Sequence, residues 1–170
     1  MTGALIGEHC VVCGLPQQTY ARSFCSEALN GIRILAIVAA RTGVLSRGRA
    51  EVLETLFFEE QLDVVTIQES RVRSPCVREG PFYIMHSAAA TLAGLYGNQF
   101  WIRRDAGILV LSVVANHPRA MAVHLDIGGH RVWVLSVHAP SAHVEEGQCR
   151  EIWDAIEVLM GLAVRGDRRA

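Results

Sequence analysis

A short β-branched run followed by an acidic residue most constrains how this chain folds. Residues 64–67 are Val, Val, Thr and Ile. A mostly apolar run of this length is typical of a strand that is covered on both faces. Glu69 follows the run almost directly, so we expect its carboxylate at the edge of a sheet, where α/β folds build their sites. The sequence therefore predicts a buried strand with a hard oxygen ligand at its end.

The length and composition of the chain indicate one globular domain. It has 170 residues, of which 51% are hydrophobic and 19% are charged, and this balance disfavours a disordered chain. The net charge of -1 gives no overall attraction to nucleic acid. No signal-peptide pattern is present, and the longest apolar stretches are too short to cross a bilayer. We expect an intracellular protein with no membrane partner.

Residues 32–68 have the pattern of a strand, a helix and a second strand joined by short links. Ile32–Ala40 is predicted as the first strand, 48–61 as the helix and Val64–Gln68 as the second strand. The helix is expected to bury an apolar stripe of Val52, Leu53, Leu56 and Phe57. Such a βαβ unit places its two strands parallel to each other.

The pattern then changes to short strands in succession, which favours antiparallel pairing. The predicted strands are 82–86, 98–103, 108–114, 120–127 and 131–138. Gly128 and Gly129 are a strong hairpin signal, because both can adopt positive φ. The alternation of the last strand places Val132, Val134, Ser136 and His138 on one face. A final helix is predicted over 144–162, with a buried stripe of Cys149, Ile152, Trp153, Ile156, Leu159 and Met160.

These elements predict a mixed α/β fold, a largely antiparallel two-sheet sandwich flanked by helices. The sequence contains no GxGxxG or P-loop motif, so a nucleotide-cofactor fold loses its main support. Residues 1–30 show no sustained period and are predicted to be a leader or a small ornament. The folded domain is predicted to span residues 31–170.

Four stretches, in this order, resemble the endonuclease/exonuclease/phosphatase superfamily, and more narrowly the apurinic-type endonuclease domain of LINE-type retrotransposons. They are Arg33–Val38, Leu62–Glu69, Tyr96–Asp105 and Val134–Pro140. The resemblance covers roughly residues 32–170 and depends on order and spacing more than on any single motif. It implies a two-sheet fold that binds Mg²⁺ or Mn²⁺ and hydrolyses DNA or another phosphodiester substrate. It leaves two alternatives open for the chain: a complete gene product, or one part of a longer polyprotein with a reverse transcriptase downstream as its partner.

The resemblance implies roles for four residues by motif position. Glu69 looks like the metal ligand, which agrees with the preference of Mg²⁺ for carboxylate, water and phosphate oxygens. His138 falls where relatives have a tyrosine or histidine that touches the scissile phosphate, although a buried structural histidine suits this position equally well. Asp167 is similar to the aspartate of a Gly-Asp-x-Asn element, although a solvated chain end is the simpler interpretation. Arg119 resembles an arginine that precedes the last hairpin and has a positional role.

The chain also departs from the family pattern. Relatives have an asparagine near the end of the first strand, where this chain has Val38, and a valine cannot hydrogen-bond to phosphate. Arg169 replaces the asparagine of the Gly-Asp-x-Asn element. The later family elements, including an Asp-His pair that supplies a general base, do not follow. The resemblance therefore implies a domain that is incomplete at its C-terminus, with little or no Mg²⁺-dependent nicking activity.

Three interpretations of the function stay open. The first is a metal-dependent phosphodiesterase or endonuclease. The second is a degenerate, non-catalytic remnant of a mobile element with at most a nucleic-acid-binding role. The third and weakest is a zinc-binding adaptor built on Cys10, Cys13 and Cys25, because a Cys-x-x-Cys pair can chelate zinc but no second close pair follows it.

Overall fold

The structure is a computed structural model and describes residues 21–25, 33–38, 47–139 and 146–166. Within these ranges the strands are β1 (Ala21–Cys25), β2 (Arg33–Val38), β3 (Val64–Gln68), β4 (Cys76–Glu79), β5 (Tyr83–Ser87), β6 (Asn98–Arg103), β7 (Ile108–His117), β8 (Ala120–Ile127) and β9 (His130–Val137). The helices are α1 (Arg47–Glu59) and α2 (Glu146–Gly166). Neither described helix is long and apolar enough to cross a membrane.

The described strands form two sheets. The first has the strand order β1-β2-β3-β6-β5-β4 and the second has the order β7-β8-β9. Strands β2 and β3 are parallel, as the βαβ pattern predicts, and the other neighbouring pairs are antiparallel. The prediction of a mixed, largely antiparallel two-sheet sandwich with flanking helices is confirmed.

Three apolar clusters hold the layers together. Helix α1 covers the outer face of the first sheet, where Phe57 packs with Tyr83 and Trp101. The two sheets pack face to face through a second cluster that joins Phe100 of β6 to Leu125 of β8. Helix α2 covers the outer face of the second sheet. The order of layers is therefore helix, sheet, sheet, helix.

The strand bounds follow the sequence pattern closely in the buried part of the fold. The predictions for β3, β6 and β8 are confirmed at both ends. Strand β4 was not predicted, because its four residues are all exposed and show no alternation. Strand β1 lies in the segment predicted as a leader and pairs with β2 at the edge of the first sheet.

The buried faces of the two helices differ from the predicted stripes. On α1, Val52 is 69% exposed, whereas Glu54 is buried. The burial of this carboxylate is tolerated because it accepts hydrogen bonds from two backbone N–H groups. On α2, Trp153 and Met160 are each 55% exposed. The face that packs on the second sheet is the narrower set of Ile152, Ile156 and Leu159. The expectation that Trp153 serves the core is wrong.

Candidate functional site

The first part of the site is the segment that follows β3. Glu69 and Arg71 both have left-handed backbone conformations, with φ of 59° and 54°. Non-glycine residues rarely adopt this region, and such residues persist where surrounding contacts hold them. Here the N–H of Ser70 donates to the carbonyl of Gly97 at 3.1 Å, and that of Arg71 donates to the carbonyl of Tyr96 at 2.8 Å. The turn places the Glu69 side chain in a largely buried position, with 12% exposure.

The second part is the Tyr96-Gly97 pair just before β6. Tyr96 has φ of 65° and Gly97 has φ of 91°. A Cβ at Gly97 would lie 2.9 Å from Oγ of Ser70 and 3.3 Å from the backbone nitrogen of Arg71. Glycine is therefore required here both for its φ and for the close approach of the two segments.

The third part is the end of β9, which reaches the site across the sandwich. The side-chain amide of Gln68 donates to the carbonyl of Val137 at 2.7 Å and so connects the ends of β3 and β9. The next residue, His138, lies beside Glu69, with 3.0 Å between Nδ1 and Oε1. Nδ1 of His138 makes no hydrogen bond within the described part of the chain, so this is a close polar contact and not a hydrogen bond.

Two arginines complete what we call the strand-end site, which comprises Glu69, Arg71, Tyr96, Arg119 and His138. Nε of Arg71 lies 3.7 Å from Oε2 of Glu69. The guanidinium of Arg119 lies 3.9 Å from the centre of the Tyr96 ring, a cation–π arrangement. Arg119 is buried, and its Nη1 has no hydrogen-bond partner in the described part of the chain. Two permanent cations and one carboxylate give the site an excess of positive charge, which suits an anion.

The imidazole of His138 is held in its neutral form. Burial lowers its pKa below the ordinary value of 6.5, the Glu69 carboxylate raises it, and the Arg119 cation lowers it further. A neutral ring at pH 7 offers one N–H donor and one acceptor nitrogen. His138 can therefore donate a hydrogen bond to a phosphate oxygen without adding a charge.

The donor set at the site fits one mode of metal binding. Within the described ranges no three His, Cys, Asp or Glu side chains group together to hold a metal ion. Glu69 is the carboxylate of the strand-end site, and its Oε1 and Oε2 both face site partners. Mg²⁺ is commonly held by one or two carboxylates together with water and substrate phosphate oxygens. Glu69 fits that mode and does not fit a cage built of protein ligands alone.

Three residues were predicted to be catalytic, and the structure brings two of them together. Glu69 and His138 are in contact, whereas Asp167 lies outside the described residues, as do Cys10 and Cys13. Val38 ends β2 and pairs in register with Gln68, so it borders the segment that carries Glu69.

Arg71 and Tyr96 were not among the predicted site residues, and Arg119 was predicted only as positional. Tyr96 is the first residue of one of the four stretches that carry the endonuclease resemblance. The Tyr-Gly pair at its start could have indicated that Tyr96 lies at the site. Arg71 follows Glu69 by two residues, but nothing in its pattern separates it from other surface arginines.

Comparison with known proteins does not connect this geometry to a family. No protein-family model matches the chain, and no curated protein matches it significantly. The endonuclease resemblance stays a prediction from the motifs.

Proposed function

We propose that the strand-end site binds a DNA phosphodiester together with Mg²⁺ or Mn²⁺, as in a metal-dependent phosphodiesterase, and that this chain turns over slowly or not at all. The contact between Glu69 and His138 carries the proposal. The resemblance assigned these two residues to one site from motifs far apart in the sequence. A chance surface carboxylate and a chance core histidine have no reason to meet.

Each side chain of the site has a role in holding the substrate. His138 donates a hydrogen bond to a non-bridging phosphate oxygen, and Arg71 supplies positive charge next to Glu69. Arg119 holds the Tyr96 ring beside His138, since that ring lies edge-on to the imidazole at 5.8 Å between centres. Glu69 would hold the metal ion, which would supply Lewis-acid stabilisation of the phosphoryl oxygen.

Weak turnover follows from what borders the site. Val38 occupies the strand end beside Gln68, and its side chain has no group that orients water or phosphate. Removal of one well-placed polar group commonly reduces turnover by roughly 10²–10³-fold. The second candidate function is non-catalytic binding of nucleic acid. The valine at position 38, where the resemblance leads us to expect an asparagine, favours it as well.

The first prediction concerns binding of a fluorescent DNA duplex, measured by anisotropy with and without Mg²⁺. His138→Ala is expected to weaken binding about tenfold, the loss of one charge-assisted hydrogen bond. Glu69→Gln is expected to abolish the Mg²⁺-dependent part of the affinity. Nicking of supercoiled plasmid is expected to stay near background for the unmodified chain.

Matched controls are Glu79→Gln and His130→Ala, because both residues are exposed and lie outside the site. These variants should bind like the unmodified chain. Equal binding by all four variants, with no Mg²⁺ dependence, would refute the proposal. Clear nicking that Glu69→Gln removes would refute weak turnover and support the site.

A further inference from the structure

Helix α2 has an exposed apolar face beside the face that packs on the second sheet. Trp153 and Met160 are each 55% exposed, and they are two helical turns apart, so they lie on the same side of the helix. Single exposed apolar side chains are ordinary on protein surfaces, but tryptophan has the largest apolar area and is enriched at interfaces. Of the three tryptophans, Trp101 is fully buried and Trp133 packs partly buried on the second sheet. Trp153 therefore stands out from the other two.

This face of α2 lies on the side of the helix that is turned away from β7. On the opposite side, the side-chain amide of Asn116 at the end of β7 donates to the carbonyl of Ala155 at 3.1 Å. Trp153 and Met160 lie roughly 150° around the helix from Ala155, which places them toward β9. Among the described strands, β9 is the edge of the second sheet on this side, and none lies beyond it. The sheet therefore leaves Trp153 uncovered.

Two exposed residues of opposite charge flank Trp153 along the helix. Arg150 and Glu157 are two turns apart and lie within roughly 60° of Trp153 around the helix. No described residue forms a salt bridge with either of them. The midpoint between them falls next to Trp153. A two-fold axis at this midpoint places Arg150 opposite Glu157 of the partner subunit, and it places Glu157 opposite Arg150 of the partner subunit.

We propose that α2 pairs in antiparallel orientation with α2 of a second copy of this chain, about a two-fold axis beside Trp153. The two Trp153 side chains are buried at the centre of this contact, where hot spots are found. The Arg150 and Glu157 side chains form one ion pair on each side of the centre. A two-fold interface must be complementary to itself, and this charge pattern meets that requirement.

The charge of the helix selects a protein partner over nucleic acid. Glu151, Asp154 and Glu157 give the exposed part of α2 more negative than positive charge, so the helix repels phosphates. A single pair of helices is a small interface, so we expect a dissociation constant in the micromolar range that rises with salt.

The dimer does not rest on the proposed function, because no residue of the strand-end site lies on α2. Each copy keeps its own site, and the pairing of the helices leaves both sites open. Variants on α2 should therefore change the assembly without changing the binding of DNA to Glu69 and His138.

Sedimentation equilibrium of the full chain over a range of concentrations tests the dimer. The unmodified chain is expected to reach the mass of a dimer, and Trp153→Ala should weaken the association about thirtyfold. Val158→Ala is the matched control, since Val158 is 51% exposed on the same helix but lies roughly 140° around it from Trp153. It should associate like the unmodified chain.

Charge reversal tests the antiparallel register. Arg150→Glu and Glu157→Arg should each weaken self-association about tenfold, because each reversal turns both ion pairs into like-charge contacts. An equal mixture of the two variants should associate about as tightly as the unmodified chain, since both pairs are again of opposite charge in the mixed dimer. Far-UV circular dichroism melts are expected to be the same for all these variants, because the substituted side chains are exposed.

Several outcomes would overturn the dimer. A chain that stays monomeric at all concentrations overturns it, as does association that Trp153→Ala retains or that Val158→Ala also loses. A mixture of the two charge variants that associates no better than either alone overturns the antiparallel arrangement. Should Trp153→Ala fail to fold, the two charge variants and their mixture decide the question. Loss of DNA binding through Glu69→Gln bears on the proposed function and leaves the dimer untouched.

Discussion

Single residues in unusual conformations cluster at the strand-end site. The described non-glycine residues with left-handed φ are Gln61, Glu69, Arg71 and Tyr96, and three of them belong to the site. For residues with a Cβ this conformation costs roughly 1–2 kcal/mol each. The backbone hydrogen bonds between the two segments offset that cost locally. Strain collected at one place is typical of a functional site and not of a turn that only connects strands.

The buried carboxylate of Glu54 restricts which residue type can occupy position 80, which lies next to it in space. Glu54 accepts hydrogen bonds from the N–H groups of Phe82 at 2.7 Å and Tyr83 at 2.8 Å. A Cβ at Gly80 would overlap both carboxylate oxygens of Glu54. Glycine is therefore required at position 80 by the packing of α1 on the first sheet.

Gly80→Ala is expected to destabilise the fold by about 2 kcal/mol, because the added methyl group displaces a carboxylate that accepts hydrogen bonds from two backbone N–H groups, of which that of Tyr83 is buried. Gly48→Ala is the matched control, since a Cβ there meets nothing within 4 Å and lies on helix α1. It should stabilise the fold by about 0.5 kcal/mol. Urea unfolding of both variants measures the two changes. Equal effects of the same sign would contradict this account.

At the scale of elements, helix α1 ends in a Schellman motif. The N–H of Leu62 donates to the carbonyl of Phe57 at 3.0 Å, and the N–H of Gln61 donates to the carbonyl of Phe58 at 2.9 Å. Leu62 and Phe57 share one apolar cluster, which is the contact that accompanies this motif. Gln61 holds the left-handed position, with φ of 56°, where glycine is preferred.

Gln61→Gly is therefore expected to stabilise the chain by about 1 kcal/mol, because it removes a left-handed conformation at an exposed position. The shift of the urea midpoint at constant slope measures this change. Gln61→Ala keeps the Cβ and is the control, which should give no such gain. Destabilisation by Gln61→Gly would contradict this expectation. It would mean that the side chain of Gln61 stabilises the fold by more than its left-handed backbone conformation destabilises it.

The elements differ in how well the sequence predicts them, and burial explains the difference. Strands β3, β6 and β8 are buried and show apolar patterns that fix their bounds. Strand β4 is an exposed edge, and it forms because β5 offers it a partner. The proximity of Glu69 and His138 agrees with the motifs that led us to expect them in one site, and their roles stay a prediction. The approach of Tyr96 to Arg71 was not, because it requires left-handed conformations that these residue types do not favour.

At the scale of the whole molecule, the site forms where the two sheets meet. Glu69 follows a central strand of the first sheet, and His138 follows an edge strand of the second. The Gln68 to Val137 hydrogen bond and the apolar cluster between the sheets set their relative position. The site is therefore a property of the assembled sandwich and not of either sheet alone.

The most direct test of the site is to locate a bound divalent ion by paramagnetic broadening. Mn²⁺ would replace Mg²⁺, and the imidazole signals of His138 and His130 would be compared by NMR. His130 begins β9, eight residues before His138, or roughly 26 Å along an extended strand. Mn²⁺ is expected to broaden the signals of His138 and to spare those of His130, and Glu69→Gln is expected to remove the broadening. Equal broadening of both histidines, or broadening of His138 that persists in Glu69→Gln, would contradict this account of the site.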